Sequence, residues 1–450
     1  MVRVTDMTHG RPIRLILLFS LPLMLGSVFQ QLYTIVDTII IGRGVGMQAL
    51  ASIGAADWIN WLVLWGLQGF TQGFAILAAQ EFGAGAYDRL RRVLAMIVKL
   101  SCWFGIAVTI ISLLLVRPLL TLLHTNPAVF GGAQTYLYVQ FGGSLIIIAY
   151  NMAAAVLRCL GDSRTPLFAI IAASFANIAL DLLFVMGFGW GIFGASFATV
   201  LAQLIAFLLC LRSLRRLPFV QLTKADWKTD PAILLHLCRL GIPTGLQMSM
   251  ITLGGMVLQS VLNGFGVVFV AGYTAANKLY GILESASVAF GYAMTAYMGQ
   301  NRGARNAARI DAGIRAVLVL SAEFTAAIVT AMLVAGKPLL GLFLSTEEAG
   351  AAEALAVAYQ YLMVLMAFLF ALFMLQAYRS SLQGLGEMTV PTLSGFAEML
   401  MRMGAALVLP TFIGQSGVFF AEGAAWVCAA ALNLVWYYMR IGKIKRDMLK

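Results

Sequence analysis

Apolar runs of about 20 residues or more recur along this whole chain, and charges rarely interrupt them. A run of that length lets an α-helix cross ~30 Å of hydrocarbon. No water is available there to satisfy backbone N–H and C=O groups, so such segments must bond to themselves as helices. Of the 450 residues, 61% are hydrophobic and only 11% charged, whereas soluble domains are about a quarter charged. The fold class is therefore an all-α integral membrane body without a large soluble domain. The first run, starting near Ile13, has no small-residue cleavage site and continues past Leu25, so it reads as a span and not a cleavable signal.

Twelve helices are expected, at 14–41, 50–79, 91–116, 131–158, 164–186, 190–213, 235–262, 269–298, 311–335, 354–383, 389–413 and 417–440. Turn signals such as Gly42-Arg43-Gly44-Val45-Gly46, Gly187-Phe188-Gly189-Trp190-Gly191 and Asn263-Gly264-Phe265-Gly266 separate them. Lys and Arg set the orientation. One side, which holds both termini, carries 25 of them, and the other carries only Arg43, Arg117 and Lys337. The positive-inside rule then places both termini of this multi-pass chain in the cytoplasm, at the inner membrane. The same rule accounts for the net charge of +11, so membrane lipid is an expected partner and nucleic acid is not. The basic loops Gln80–Arg92 and Gln300–Arg315 suit contact with lipid phosphates. The five cysteines lack disulfide or metal spacing and the three histidines lie at or near segment ends. No cofactor and no catalytic residue is expected.

The two halves repeat. Ser20-Leu21-Pro22 returns as Gly241-Ile242-Pro243, 221 residues on at the prolines, and Gln80 with Gly83-Ala84 returns as Gln300 with Gly303-Ala304, 220 residues on. Leu160-Gly161-Asp162 with Pro166 matches Leu385-Gly386-Glu387 with Pro391 at an offset of 225. Six spans per copy give both copies one topology, hence two pseudo-symmetric six-helix lobes, an arrangement typical of alternating access. The lobes are expected at 1–213 and 235–450, joined by a cytoplasmic loop at 214–234 that flexes.

The ordered motifs along the chain resemble those of the multidrug and toxic compound extrusion (MATE) family. They are Gln31-x-Tyr33-x-x-Val36-Asp37 followed by Ile41-Gly42-Arg43, Gln80-x-x-Gly83-Ala84, Arg158-x-x-Gly161-Asp162-Ser163-x-x-Pro166, Asn177-x-x-x-Asp181, Gly194-Ala195-x-x-Ala198-Thr199 and Gln300-Asn301-x-Gly303-Ala304. The resemblance implies a secondary active exporter of organic, often cationic, compounds, coupled to H⁺ or Na⁺. It also implies a cation site in the first lobe at positions matching Asp37, Asn177, Asp181 and Thr199.

Depth along the helices points to the same residues. An ionisable side chain inside a span costs roughly 2.5–3.5 kcal/mol on insertion scales, so it needs a partner or a task. Counting at ~1.5 Å per residue from the outer turns puts Asp37 about 11 Å deep, Asp181 about 12 Å and Thr199 about 15 Å. Asn177 lies one turn from Asp181 on the same face, and Gln203 stands likewise to Thr199. Gln31 and Tyr33 are candidate supporting residues. These are hard oxygen donors, suited to Na⁺ or to a proton shared between carboxylates, and they are metal ligands only if the ion is Na⁺. The bland alternative is that both acids sit near wet helix ends.

The second lobe offers Lys278, Glu284, Glu398 and Arg402, with Glu323 a further acid in its spans. The repeat places Leu258 opposite Asp37, so the first-lobe acid is not duplicated. Glu398 and Arg402, at i and i+4, read as a structural ion pair, and Glu284 is the second-choice coupling residue. The 22 methionines and 50 aromatic residues include adaptable and cation-attracting side chains for small organic, cationic, aromatic substrates; Tyr280 and Tyr378 are among the candidate cavity liners. A monomer is expected. The rival reading is a flippase for lipid-linked oligosaccharides, which favours a cavity rich in Arg to hold pyrophosphate. An integral-membrane enzyme would need a clustered constellation that the sequence does not display.

Overall fold

In the computed structural model, which describes residues 4–344 and 350–449, the ordered elements are helices and turns. The helices are α1 (Pro12–Gly44), α2 (Met47–Gly83), α3 (Tyr87–Leu122), α4 (Pro127–Gly142), α5 (Ser144–Cys159), α6 (Arg164–Asp181), α7 (Gly191–Arg215), α8 (Pro231–Leu262), α9 (Val267–Gly303), α10 (Ala307–Gly341), α11 (Ala351–Gly384), α12 (Thr389–Ile413) and α13 (Phe420–Leu449). Among the described residues ten segments are long and apolar enough to cross a membrane, or eleven when α4 and α5 count as one span. The expected fourth helix, 131–158, is that pair, bent by 50° around Gly143. The remaining expected span is α9, which has 37 residues but is more polar than the others: Asn277, Lys278, Glu284, Gln300, Asn301 and Arg302 interrupt it.

Local signals explain several boundaries. The Asn126 side chain accepts a hydrogen bond from the Ala128 N–H (2.9 Å) with Pro127 in the first turn of α4. Asp162, a motif residue, accepts from the N–H groups of Arg164 and Thr165, both at 3.0 Å, and so caps α6. The preceding Gly161 has φ of 90°, and a Cβ there would lie 2.1 Å from the Thr5 carbonyl oxygen. Only glycine fits that turn.

Two compact units emerge, and their division does not follow a simple cut through the 214–234 connection. The first comprises residues 1–6 and 21–249, the second residues 7–20 and 250–450. Each unit thus includes the opening turns of the other half's first helix. Small residues make this close fit possible. In the first unit Gly69 and Gly73 of α2 lie against Gly245 and Gly241 of α8: a Cβ on Gly73 would come 2.6 Å from Gly241 Cα, and one on Gly69 2.7 Å from the Thr244 carbonyl oxygen. Four-residue spacing on both helices lets their backbones approach, the device that drives association where no hydrophobic gain exists between helices. In the second unit the Ser20 hydroxyl reaches the Ala289 carbonyl at 3.4 Å. Ser20 and Ala289 stand 221 and 220 residues from Gly241 and Gly69, so the repeat reuses one contact.

The 214–234 connection, expected to flex, is anchored within the first unit. Lys99 of α3 donates to the Trp227 carbonyl (2.5 Å) and to the Thr229 hydroxyl (2.9 Å). Asp226 accepts from both the N–H and the hydroxyl of Thr223 at 2.7 Å. Burial of Asp226 raises its pKa, but those bonds and the nearby Arg91 and Arg92 outweigh this and hold its carboxyl below the ordinary value.

Gly73→Ala forces a methyl group onto backbone and should cost about 1–3 kcal/mol. Thermal unfolding in micelles should show this as a lower midpoint, whereas Gly54→Ala, which meets nothing within 4 Å, should unfold like the parent. Equal midpoints for the two variants would reject the close-packing account.

Candidate functional site

Asp37 lies near the outer end of α1 and Asp181 closes α6, where the helix widens into a π turn at Leu182–Gly187. Such turns insert an extra residue and often mark functional positions. Both residues belong to the first unit. Their carboxyl groups lie within hydrogen-bonding reach of each other. Asp181 is fully buried and Asn177 nearly so, and the Asn177 amide donates to Asp181 Oδ2 at 2.8 Å. Asp37 Oδ1 and Asp181 Oδ1 are buried with no hydrogen-bond partner among the described residues. An isolated buried carboxylate oxygen is expensive, and a proton or small cation bound there would lower that cost.

The structure treats the other predicted residues differently. Tyr33, one turn before Asp37, lies in the field of both acids. Gln203 is half-buried, and its Oε1 has no hydrogen-bond partner among the described residues. The Thr199 hydroxyl donates to the Ala195 carbonyl one turn back in α7 (3.2 Å), which leaves its oxygen lone pairs as acceptors. Gln31 is exposed.

Three further residues join the site. Asp57 on α2 and Tyr136 on α4 both lie within the field of Asp37. The Asn60 amide donates to the Tyr136 hydroxyl (3.1 Å), and Asn60 Oδ1 is buried with no hydrogen-bond partner among the described residues. The depth count used for Asp37 would have found Asp57: ten residues after Met47, it lies about 15 Å along α2.

The second unit has a separate polar centre. Glu398 is buried between Arg379 (2.5 Å) and Arg402 (3.1 Å), and Arg402 also reaches Glu422 (2.7 Å) and the Ile251 carbonyl (3.0 Å). The expected i,i+4 pair is present, but it is the middle of a four-residue chain. Glu284 is hydrogen-bonded to Tyr280 and lies in the field of Glu422, Arg402 and Glu398. Lys278 is exposed. Tyr280 and Tyr378 are buried: Tyr280 stacks on Trp426, and Tyr378 packs against Tyr437 and Tyr438.

The MatE family model matches the chain twice, over residues 22–183 and 243–408. The chain is 31% identical to the probable multidrug resistance protein YpnP of Bacillus subtilis strain 168, over 99% of this chain and 98% of that protein. It shares its fold with a crystal structure described as MATE in complex with MaL6, at a TM-score of 0.91 and 24% identity over 99% of this chain and 100% of that one. A structure described as MATE in the bent conformation is similar at a TM-score of 0.89 and 24% identity, with both chains covered fully.

Glu398→Gln should leave two buried guanidinium groups facing a neutral amide, at a cost of about 3–5 kcal/mol. Chemical unfolding in micelles should register that loss, and Glu323→Gln, at an exposed position, should change little. A Glu398→Gln variant as stable as the parent would show that the network contributes nothing.

Proposed function

This chain belongs to the MatE family of multidrug efflux transporters, and we propose that it is a secondary exporter exchanging organic cations for H⁺ or Na⁺. Its fold is the twelve-helix, two-lobe membrane fold of the solved MATE structures. The observation that carries the coupling is the juxtaposition of Asp37 and Asp181 with an unpartnered buried oxygen on each.

Two carboxylates in a low-dielectric pocket repel each other, and one monovalent cation relieves that repulsion. With the site facing outward, H⁺ or Na⁺ binds between the acids and weakens the hold on the organic cation, which leaves. After the transporter reorients, the ion is released inward and the restored negative charge favours a new organic cation. One charge moved through 100 mV yields about 2.3 kcal/mol, enough to drive uphill export. Asn177 orients Asp181 through its amide. The Asn177 and Thr199 side-chain oxygens are the neutral ligands proposed for a Na⁺ shell, and Gln203 Oε1 and Asn60 Oδ1, without a hydrogen-bond partner among the described residues, are further candidates.

We place the protein in the inner membrane as a monomer with both termini in the cytoplasm. The 25-to-3 distribution of basic residues supports this orientation; of those 25, Arg3 and Lys450 lie outside the described residues. The flippase reading is weaker. Arg379 and Arg402, the buried arginines of the second unit, are held by Glu398 and Glu422 and so are not available for pyrophosphate.

Pro22 is proposed as the hinge of α1. It has no N–H, so the Leu18 carbonyl loses its helical donor, and the division of α1 between units falls one residue earlier, after Ser20 and before Leu21. Asp37→Asn should reduce efflux of a cationic dye from everted vesicles to the level of vesicles lacking the protein, with the variant still folded. Undiminished efflux would reject the assignment. A folded Pro22→Ala variant should transport more slowly under the same gradient, and parental rates would remove the hinge.

A further inference from the structure

A cavity of about 390 Å³ lies in the second unit, lined by residues from the ends of α9 and α13 and from the turn between α11 and α12. Its wall carries four cationic side chains, Arg302, Arg305, Arg440 and Lys443, against two acids, Glu387 and Asp447. Arg302 donates to the Leu385 carbonyl and lies in the field of Glu387, so these two belong to the frame. The others leave positive charge uncompensated. The Arg440 guanidinium sits 5.0 Å from the Trp436 ring centroid, and its Nε is buried with no hydrogen-bond partner among the described residues. Arg305 holds a φ of 54° in the turn that ends α9, where the corresponding position of the first half is Gly85 with a φ of 66°, so the second half places an arginine where the first has a glycine.

The internal repeat sharpens the contrast. Leu385-Gly386-Glu387 corresponds to Leu160-Gly161-Asp162. In the first unit that turn is covered by the chain itself, since the Thr5 N–H donates to the Gly161 carbonyl at 3.1 Å and Asp162 is used as a helix cap. In the second unit Gly386 and Glu387 instead face the cavity. One copy of the turn is closed by polypeptide, and the other borders a cationic pocket at the basic ends of membrane-spanning helices.

We propose that this cavity binds a phosphate-bearing anion, with the headgroup of an anionic phospholipid as its most accessible source. Guanidinium forks match phosphate oxygens in pairs, and basic pockets at the ends of transmembrane helices are suited to lipid headgroups. Occupancy would tie α9, α11 and α13 together at their charged ends. The proposal does not depend on how transport is coupled.

The test uses the full-length protein in neutral micelles, with thermal unfolding read after adding phosphatidylglycerol, phosphatidylcholine or inorganic phosphate. Phosphatidylglycerol should raise the midpoint well above phosphatidylcholine. Arg305→Gln with Lys443→Gln should lose at least half of that rise, and Lys443→Gln alone, at an exposed position, serves if the double variant misfolds. Arg215→Gln with Lys228→Gln removes equal charge from exposed positions in the first unit and should keep the full rise. A rise with inorganic phosphate alone, lost in the cavity variants, would identify free phosphate as the source. No difference between the two lipids with no response to phosphate, or equal loss in the first-unit variant, would overturn the proposal.

Discussion

Two carboxyl groups from different helices, held against each other inside a membrane-spanning bundle, set the terms for the first unit. Among the described residues neither has a basic residue in hydrogen-bonding contact, and each keeps an unpartnered buried oxygen. The second unit meets the same difficulty differently, by threading its acids between Arg379 and Arg402. An acid beside an arginine is already neutralised, whereas an acid beside an acid must acquire a cation. That contrast is the basis for proposing ion exchange in the first unit and a stabilising role for the network in the second.

The repeat supplies the frame for this asymmetry. Small residues accompany the start of each half's first helix within the other half's unit, Gly241 and Gly245 against Gly73 and Gly69 in one case and Ser20 against Ala289 in the other. The frame is duplicated while the polar content is not: Leu258 stands opposite Asp37, and the Gly161 turn is covered where the Gly386 turn borders a cavity. Duplication followed by divergence of polar positions gives two units of one shape with different chemistry.

The helices and their order were legible because hydrocarbon demands long apolar runs, and depth along a helix is linear in residue number. That arithmetic alone brought Asp37 and Asp181 to one level, and it would have brought Asp57 had it been applied to α2. Side-chain direction was not legible. That the Thr199 hydroxyl donates to its own helix at Ala195 is a rotamer choice that spacing does not reveal. Arg379 reads as a residue near a helix end, yet packing between helices buries it against Glu398. The bend falls at Gly142-Gly143-Ser144, a Gly/Ser signal that the apolar run masked, whereas the π turn after Asp181 changes register in a way that composition does not signal.

The central claim is that the Asp37–Asp181 pair holds one exchangeable positive charge. Infrared difference spectroscopy of the purified protein reads this directly through the C=O stretch of a protonated carboxyl group. The account predicts such a band at neutral pH, its loss on adding Na⁺ or a cationic dye, and no such change in Asp181→Asn. A parent spectrum without the band, unchanged by either cation, would contradict it.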